Sequence, residues 1–355
     1  MPLQLVTDHA ELLAPFAALL ARFRVDAPVR GARRLELRLD GGPRLVLGRR
    51  TFPLRGGADA VVAHGYSVLM HWALGQVRGH LLVHGAALAR DGRGLVVAGR
   101  TGAGKTSVAA GLAARGWELL SDDVAALSLR DGRLHPFPKA LSLRPGVAEP
   151  PRGTPAARLP VLDGSAKRLV DPAALGWRVA RGPVPLRAFV LLEPDRPRGA
   201  RTRPPVPLSV VVHRAPRGLP ARVRALPGVH AVELWRGTRY PTLRIATDVP
   251  ALVLPRVEVA CAAAGALVIG AARATPRGRP DFAAAPRAEP LGLDEAVHAV
   301  LRNLWGVAHG RALAARGGGS ALYLQVARRL ASVRCWRVTP GRYGRELDLV
   351  EELGG

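Results

Sequence analysis

The sequence predicts an α/β protein whose core is a mixed sheet around a glycine-rich loop, with a small N-terminal α+β lobe and an α/β C-terminal region. Three observations predict it. Apolar residues recur at helical spacing before residue 25 and between 58 and 77, with strand-like alternation between them. From His80 the pattern changes to short apolar runs separated by turn residues. One run, Leu95–Ala98, leads directly into a loop opened by Gly99 and then a helix ended by Gly116. The chain of 355 residues accordingly divides into an N-terminal α+β lobe (1–78), a core (79–192), a variable α/β segment with linkers (193–290), and a C-terminal helical segment with a final strand (291–355).

In the lobe, Leu12, Leu13, Phe16, Leu19, Leu20 and Phe23 place a helix over 9–24, with Pro15 inside the pattern. Leu35–Leu39 and Leu45–Leu47 flank Asp40-Gly41-Gly42 as a hairpin, and a second helix covers 58–77. No chemistry is visible in this segment. In the core, 81–84 and 86–89 form a strand pair or one long strand, and Asp91–Gly94 a turn. Ser107–Arg115 continues the loop as a helix. Trp117–Leu120 is a strand, Ser121-Asp122-Asp123 follows it, and alternation resumes over Val124–Leu129. Residues 144–160 are rich in Pro, Gly and Arg and are expected to form a mobile loop, followed by a strand over 187–192. Residues 194–228 read as an exposed connection, 229–246 as strand-like runs, 250–264 as a helix and 273–290 as a second linker. Helices over 291–305 and 320–330 and a strand over 333–338 complete the reading.

Composition narrows the function classes. The chain is 48% hydrophobic and 22% charged, and no apolar stretch of about 18 residues is free of charge and glycine, so no membrane span is expected. The opening MPLQLVTDHAELL lacks a basic segment followed by an apolar one, so no signal peptide is expected. Cys261 and Cys335 form no disulfide framework and no metal pattern, which fits a reduced cytoplasm. The 52 basic residues against 27 acidic ones give a net charge of +25. Such a field favours acidic partners and speeds their encounter at low salt. Nucleic acid is disfavoured as a partner: aromatic content is 5%, with no zinc spacing and no aromatic–basic interleaving. The basic residues are nearly all arginine, and scarce Lys, Asn and Ile together indicate a G/C-rich genome. Only Lys105, Lys139 and Lys167 are lysines. Lysine is a compact point charge and arginine a planar fork, so these three become candidates for positions that arginine does not serve.

Gly99-Arg100-Thr101-Gly102-Ala103-Gly104-Lys105-Thr106 satisfies the Walker A pattern G-x-x-x-x-G-K-[ST], between a strand and a helix as that pattern requires. Backbone N–H groups of Gly99, Thr101, Gly102, Ala103 and Gly104, and of the helix start at Lys105, Thr106 and Ser107, are then the expected cradle for the phosphates of ATP. Lys105 is expected to reach the β- and γ-phosphates, and the Thr106 hydroxyl to ligate Mg²⁺. Asp122-Asp123 stands seventeen and eighteen residues after Lys105, where a returning helix brings a strand back beside the loop. Two carboxylates there can divide the labour between an attacking hydroxyl and a metal. The bland alternative for the pair is a solvated turn or a helix cap. His84, fifteen residues before Gly99, reads on its own as an edge or core histidine.

Together, His84-Gly85, the loop at Gly99–Thr106, and Arg115-Gly116 followed by Ser121-Asp122-Asp123 resemble the catalytic core of the HPr serine kinase/phosphorylase family, a fold related to phosphoenolpyruvate carboxykinase. The resemblance is strong over 80–130 and weaker to 192. Pro136–Arg144 and Ala166-Lys167-Arg168 are similar to stretches of the shorter HPr-kinase-like proteins found with lasso-peptide and other peptide natural-product genes. The resemblance implies Asp122 as general base, Asp123 as metal support, His84 as a site residue, and ATP with Mg²⁺ as cofactors. Lys139, Arg144, Lys167 and Arg168 become candidates for cations around the phosphoryl group or the substrate. The expected activity is transfer of a γ-phosphate to a serine or similar hydroxyl of a peptide or small protein, with a precursor peptide as one such acceptor. The glycine-rich signature of the bifunctional enzymes is missing, which sets phosphorolysis and HPr itself apart from this expectation. A homo-oligomer is compatible with the family. Two other readings stay open: a kinase of a small-molecule hydroxyl, and a nucleotide-dependent ATPase that binds nucleic acid.

Overall fold

The computed structural model describes residues 3–25, 29–48, 50–53, 58–100, 102–144, 146–148, 157–160, 166–194, 206–212, 214–236, 241–247, 249–266, 268–273, 281–305 and 318–355. It is a mixed α/β structure with several sheets. The chain forms two compact units, one of residues 1–74, 153–170 and 200–276, the other of 75–152, 171–199 and 277–355.

The chain opens with strand β1 (Leu3–Thr7) and helix α1 (Ala10–Leu20), continues through β2 (Arg33–Arg38), β3 (Arg44–Leu47) and β4 (Arg50–Pro53), and reaches helix α2 (Ala58–Gly75). Leu12, Phe16 and Leu19 are the buried face of α1, at the spacing that lines one side of a helix. Pro15 sits inside that helix. The four strands pair in sequence order, with β1 and β2 parallel and the rest antiparallel.

Next come β5 (His80–Arg90), β6 (Arg93–Gly99), α3 (Lys105–Ala114), β7 (Glu118–Ser121), β8 (Val124–Ser128), β9 (Arg133–His135), β10 (Leu141–Leu143), the hairpin β11 (Ala157–Pro160) and β12 (Ala166–Val170), and β13 (Val184–Leu192). Residues 80–90 are thus one long strand. Its last half pairs with β6 across a two-residue Asp91-Gly92 turn, with φ of 50° and 73°. Positive φ at both central residues suits the twist of a tight hairpin. Of the expected mobile loop over 144–160, Ala157–Pro160 is strand, and residues 145 and 149–156 lie outside the described residues.

The third stretch contains β14 (Val206–Val212), α4 (Leu219–Arg224), β15 (Ala231–Trp235), β16 (Thr242–Thr247), α5 (Pro250–Ala263) and β17 (Val268–Arg273). Its sheet order is β15-β16-β14-β17, all antiparallel. A β-α-β-β-α-β run with that order is the split βαβ arrangement of ferredoxin-like sheets. It has a core of its own, in which Leu208, Val210, Leu243, Ile245, Val253 and Val257 are fully buried. This corrects the expectation of an exposed connection over 194–228, since β14 and α4 lie inside it. Prolines and arginines in the flanks mask a short apolar strand when composition is averaged over a window.

The chain ends with β18 (Arg287–Pro290), α6 (Leu293–Arg302), α7 (Gly318–Leu330), β19 (Arg334–Thr339) and α8 (Tyr343–Gly354). In the second linker expected over 273–290, Arg287–Pro290 is strand and 274–280 lie outside the described residues. The final helix α8 follows the strand expected over 333–338.

The second unit is organised by an eight-stranded sheet in the order β18-β19-β13-β6-β5-β8-β9, with β7 also on β5. Strand β13 is parallel to both β6 and β19, which brings their C-terminal ends to one side. The apolar runs of β6 and β13 are buried almost throughout, as central strands covered on both faces must be. Phe189, Leu81, Ala98, Val297 and Val326 belong to one continuous core there. Each such fully buried branched or aromatic side chain stabilises the fold by about 1.5–3 kcal/mol.

Candidate functional site

The glycine-rich loop leaves the C-terminal end of β6 and enters α3. Gly99 has no room for a side chain, because a Cβ there would lie 2.6 Å from the Leu192 carbonyl oxygen of the neighbouring strand. Gly104 has φ +98°, a left-handed conformation that costs other residues energy. Lys105 is buried, and its ammonium donates to the carbonyls of Gly99 at 2.9 Å and Arg100 at 3.0 Å. The lysine therefore folds back over its own loop. Gly102 is exposed, Ala103 is buried, and Thr106 and Ser107 are half-buried at the start of α3. Thr101 lies outside the described residues.

Strands β7 and β8 run consecutively along one edge of β5, and Asp122-Asp123 is the break between them. Val124 pairs with His84, Ser121 pairs with Ala87, and the two aspartates face the interval. The break is fixed locally: Gly85 N donates to Asp123 O at 3.0 Å, and the Ser121 hydroxyl oxygen accepts from Val124 N at 3.2 Å. Sheet pairing thus brings His84 to Asp123, with Nδ1 3.0 Å from Oδ1. On the far side Asn303 O accepts the His84 amide at 2.6 Å.

The next stretch closes the group. Phe137 N donates to Leu120 O at 2.9 Å, which lays the chain beside β7 and delivers Lys139 to the carboxylates. Lys139 Nζ is 3.0 Å from Asp122 Oδ1 and 3.8 Å from Asp123 Oδ2. The approach to Asp122 is an ion pair without hydrogen-bond alignment, so Oδ1 has no hydrogen-bond donor among the described residues. Asp122 Oδ2 accepts from Ser142 N at 3.2 Å. The two neighbouring carboxylates are differently placed: the Asp122 side chain is 2% exposed and that of Asp123 38%. Burial pushes the Asp123 carboxyl up, but Lys139, His84 and Lys105 outweigh it and hold the group well below the usual carboxylate range.

Of the residues singled out from the sequence, His84, Asp122, Asp123 and Lys139 meet in the second unit, Lys105 acts on Asp123 through its charge, and Arg144 is exposed just after β10. Lys167 and Arg168 lie on β12, which belongs to the first unit.

Several neighbours carry no sequence signal of their own. Helix α8 packs on the loop side of α3, where Tyr343 Oη donates to Ser107 O at 2.7 Å. Glu346 on the same helix is 3% exposed, accepts from Gly341 N at 3.2 Å, and lies 3.7 Å from where a Cβ on Gly104 would stand. Burial pushes its carboxyl up. Glu193, just past β13, pairs with Arg337 at 3.3 Å and Arg100 at 3.9 Å, an acid held at the loop entrance.

The donors suit a magnesium nucleotide. Thr106 and Asp123 are hard oxygen donors, the second kept ionised, and Mg²⁺ takes such ligands while keeping several waters. The loop adds backbone N–H groups, a helix N-terminus and an ammonium, which together favour phosphate. A carboxylate held by an amide and an ammonium can accept a proton from a hydroxyl. No protein-family model and no curated protein sequence matches the chain.

Proposed function

We propose that this chain is an ATP-dependent, Mg²⁺-requiring kinase, related to the HPr-kinase-like proteins, that transfers the γ-phosphate to a serine or similar hydroxyl of an acidic peptide or small protein. The observation that carries the reading is a glycine-rich loop and an Asp-Asp break in the same unit, the aspartates contacted by His84 and the rare lysine Lys139.

In this reading the loop amides and Lys105 hold the β- and γ-phosphates. Lys105 exchanges its two carbonyl partners for phosphate oxygens. Thr106 and Asp123 would hold the metal, which supplies charge neutralisation on the transferring group. His84 orients Asp123 through the 3.0 Å contact. Asp122 takes the proton of the acceptor hydroxyl, its Oδ2 fixed by Ser142 N and its Oδ1 free of hydrogen-bond donors among the described residues. Lys139 bridges the two carboxylates and offers a positive charge where negative charge gathers on the phosphoryl oxygens. The net charge of +25 favours an acidic acceptor.

The test is incubation with γ-labelled ATP, Mg²⁺ and a panel of acidic serine peptides, followed by phosphoamino-acid identification. Phosphoserine formed only with Mg²⁺ is the expected product. A chain that fails to bind ATP, or that binds it and labels no hydroxyl, contradicts the reading.

A further inference from the structure

We propose that Ser142 is an internal phosphoryl acceptor, so that this chain phosphorylates itself on that serine. The proposal rests on the kinase reading and deepens it by naming an acceptor. Asp122 is 2% exposed, and a serine of the same chain stands beside it. Ser142 is half-buried, and its amide nitrogen already sits 3.2 Å from Asp122 Oδ2. Leu141 and Leu143 are buried at 1% and 2%, and strand alternation turns the intervening Ser142 to the opposite face of β10. A serine hydroxyl is three bonds from its own amide nitrogen, so rotation between staggered positions carries it toward the same carboxylate. No hydrogen bond among the described residues engages that hydroxyl, while the Asp122 Oδ1 it would approach lacks a hydrogen-bond donor. A nucleophile held beside its base has an effective concentration far above that of a dissolved acceptor.

The step balances within the components already named. The Ser142 Oγ–Pγ bond forms, the bond from Pγ to the β,γ-bridging oxygen breaks, and its electron pair leaves with ADP. The hydroxyl proton passes to the Asp122 carboxylate. Lys139, 3.0 Å from Asp122 and 3.8 Å from Asp123, faces the charge that is added.

The experiment incubates the full chain with γ-labelled ATP and Mg²⁺ and no other acceptor, with ATP binding measured in parallel by titration. Intact mass and peptide mapping should show one phosphate on Ser142, formed at a rate independent of chain concentration. Ser142→Ala should bind ATP and stay unmodified, while Ser142→Thr should recover a slower modification. ATP binding by the wild-type chain with Ser142 unmodified overturns the proposal and leaves the kinase reading standing. Label on Ser142→Ala equal to wild type, or a rate proportional to chain concentration, also overturns it. A chain that does not bind ATP removes the kinase reading first and this proposal with it.

Discussion

The two ends of the candidate site are built in opposite ways. The glycine-rich loop is one unbroken stretch between β6 and α3. The aspartate end is assembled from His84, Asp122, Asp123, Lys139, Ser142 and Asn303, brought together by strand pairing along β5 and by the chain that follows β9. Their acids differ as well. Burial pushes Glu346 up behind the loop, whereas Lys139, His84 and Lys105 overcome burial to hold Asp123 low. The loop end depends on backbone conformation, and the aspartate end on compensation among buried charges. Substitutions should therefore fail differently at the two ends.

The largest effects are expected from the two lysines. Lys139→Ala leaves Asp122 buried without its cation, and removing one member of a buried pair costs about 3–5 kcal/mol. Denaturant unfolding should show that loss, with ATP affinity kept in the folded fraction. Lys105→Ala should do the reverse: its ammonium donates to the neutral carbonyls of Gly99 and Arg100 on its own loop, so stability changes less. Its transfer rate should fall by about 10²–10³-fold, the usual cost of one charge-stabilising donor, and its ATP affinity should fall too. Equal stability losses in both variants would erase the contrast.

Gly104→Ala comes next. A side chain at φ +98° costs about 1–2 kcal/mol, and the loop must either hold that strain or give up its shape. ATP affinity, read by titration, should drop while the stability of the aspartate end is unchanged.

The smallest effect is a pH dependence. Because burial raises the Glu346 carboxyl in the folded chain, the folded state holds more protons than the unfolded one between the two pKa values. Its favourable contribution is complete below the ordinary glutamate range and is lost as pH rises through the raised value. Thermal unfolding across mildly acidic pH should therefore show stability falling in that window for wild type and a flatter profile for Glu346→Gln. An unchanged slope in Glu346→Gln would assign the dependence to another group.

The same contrast explains what the sequence could reveal. The loop was legible because its chemistry is contiguous and its spacing is a pattern. The hairpin at Asp91-Gly92 was legible because turn chemistry is local. Lys139 stood out only because arginine replaces lysine almost everywhere else. Ser142 and Asn303 reach the site through backbone amides and carbonyls, which carry no residue-type signal. Glu346 and Tyr343 arrive on α8 by helix packing some 240 residues after the loop. The split βαβ sheet over 206–273 was hidden for a different reason: its short apolar strands are set among prolines and arginines whose composition reads as linker.

The most direct test of the account is Asp122→Asn, assayed for ATP binding and for phosphoryl transfer on the same preparation. The amide keeps the shape of the side chain and removes its capacity to take a proton. Transfer is expected to fall by about 10²–10⁴-fold, the range a positioned base contributes, with ATP affinity retained. Transfer at the wild-type rate with ATP bound would contradict the assignment of Asp122 as the base on which the account depends.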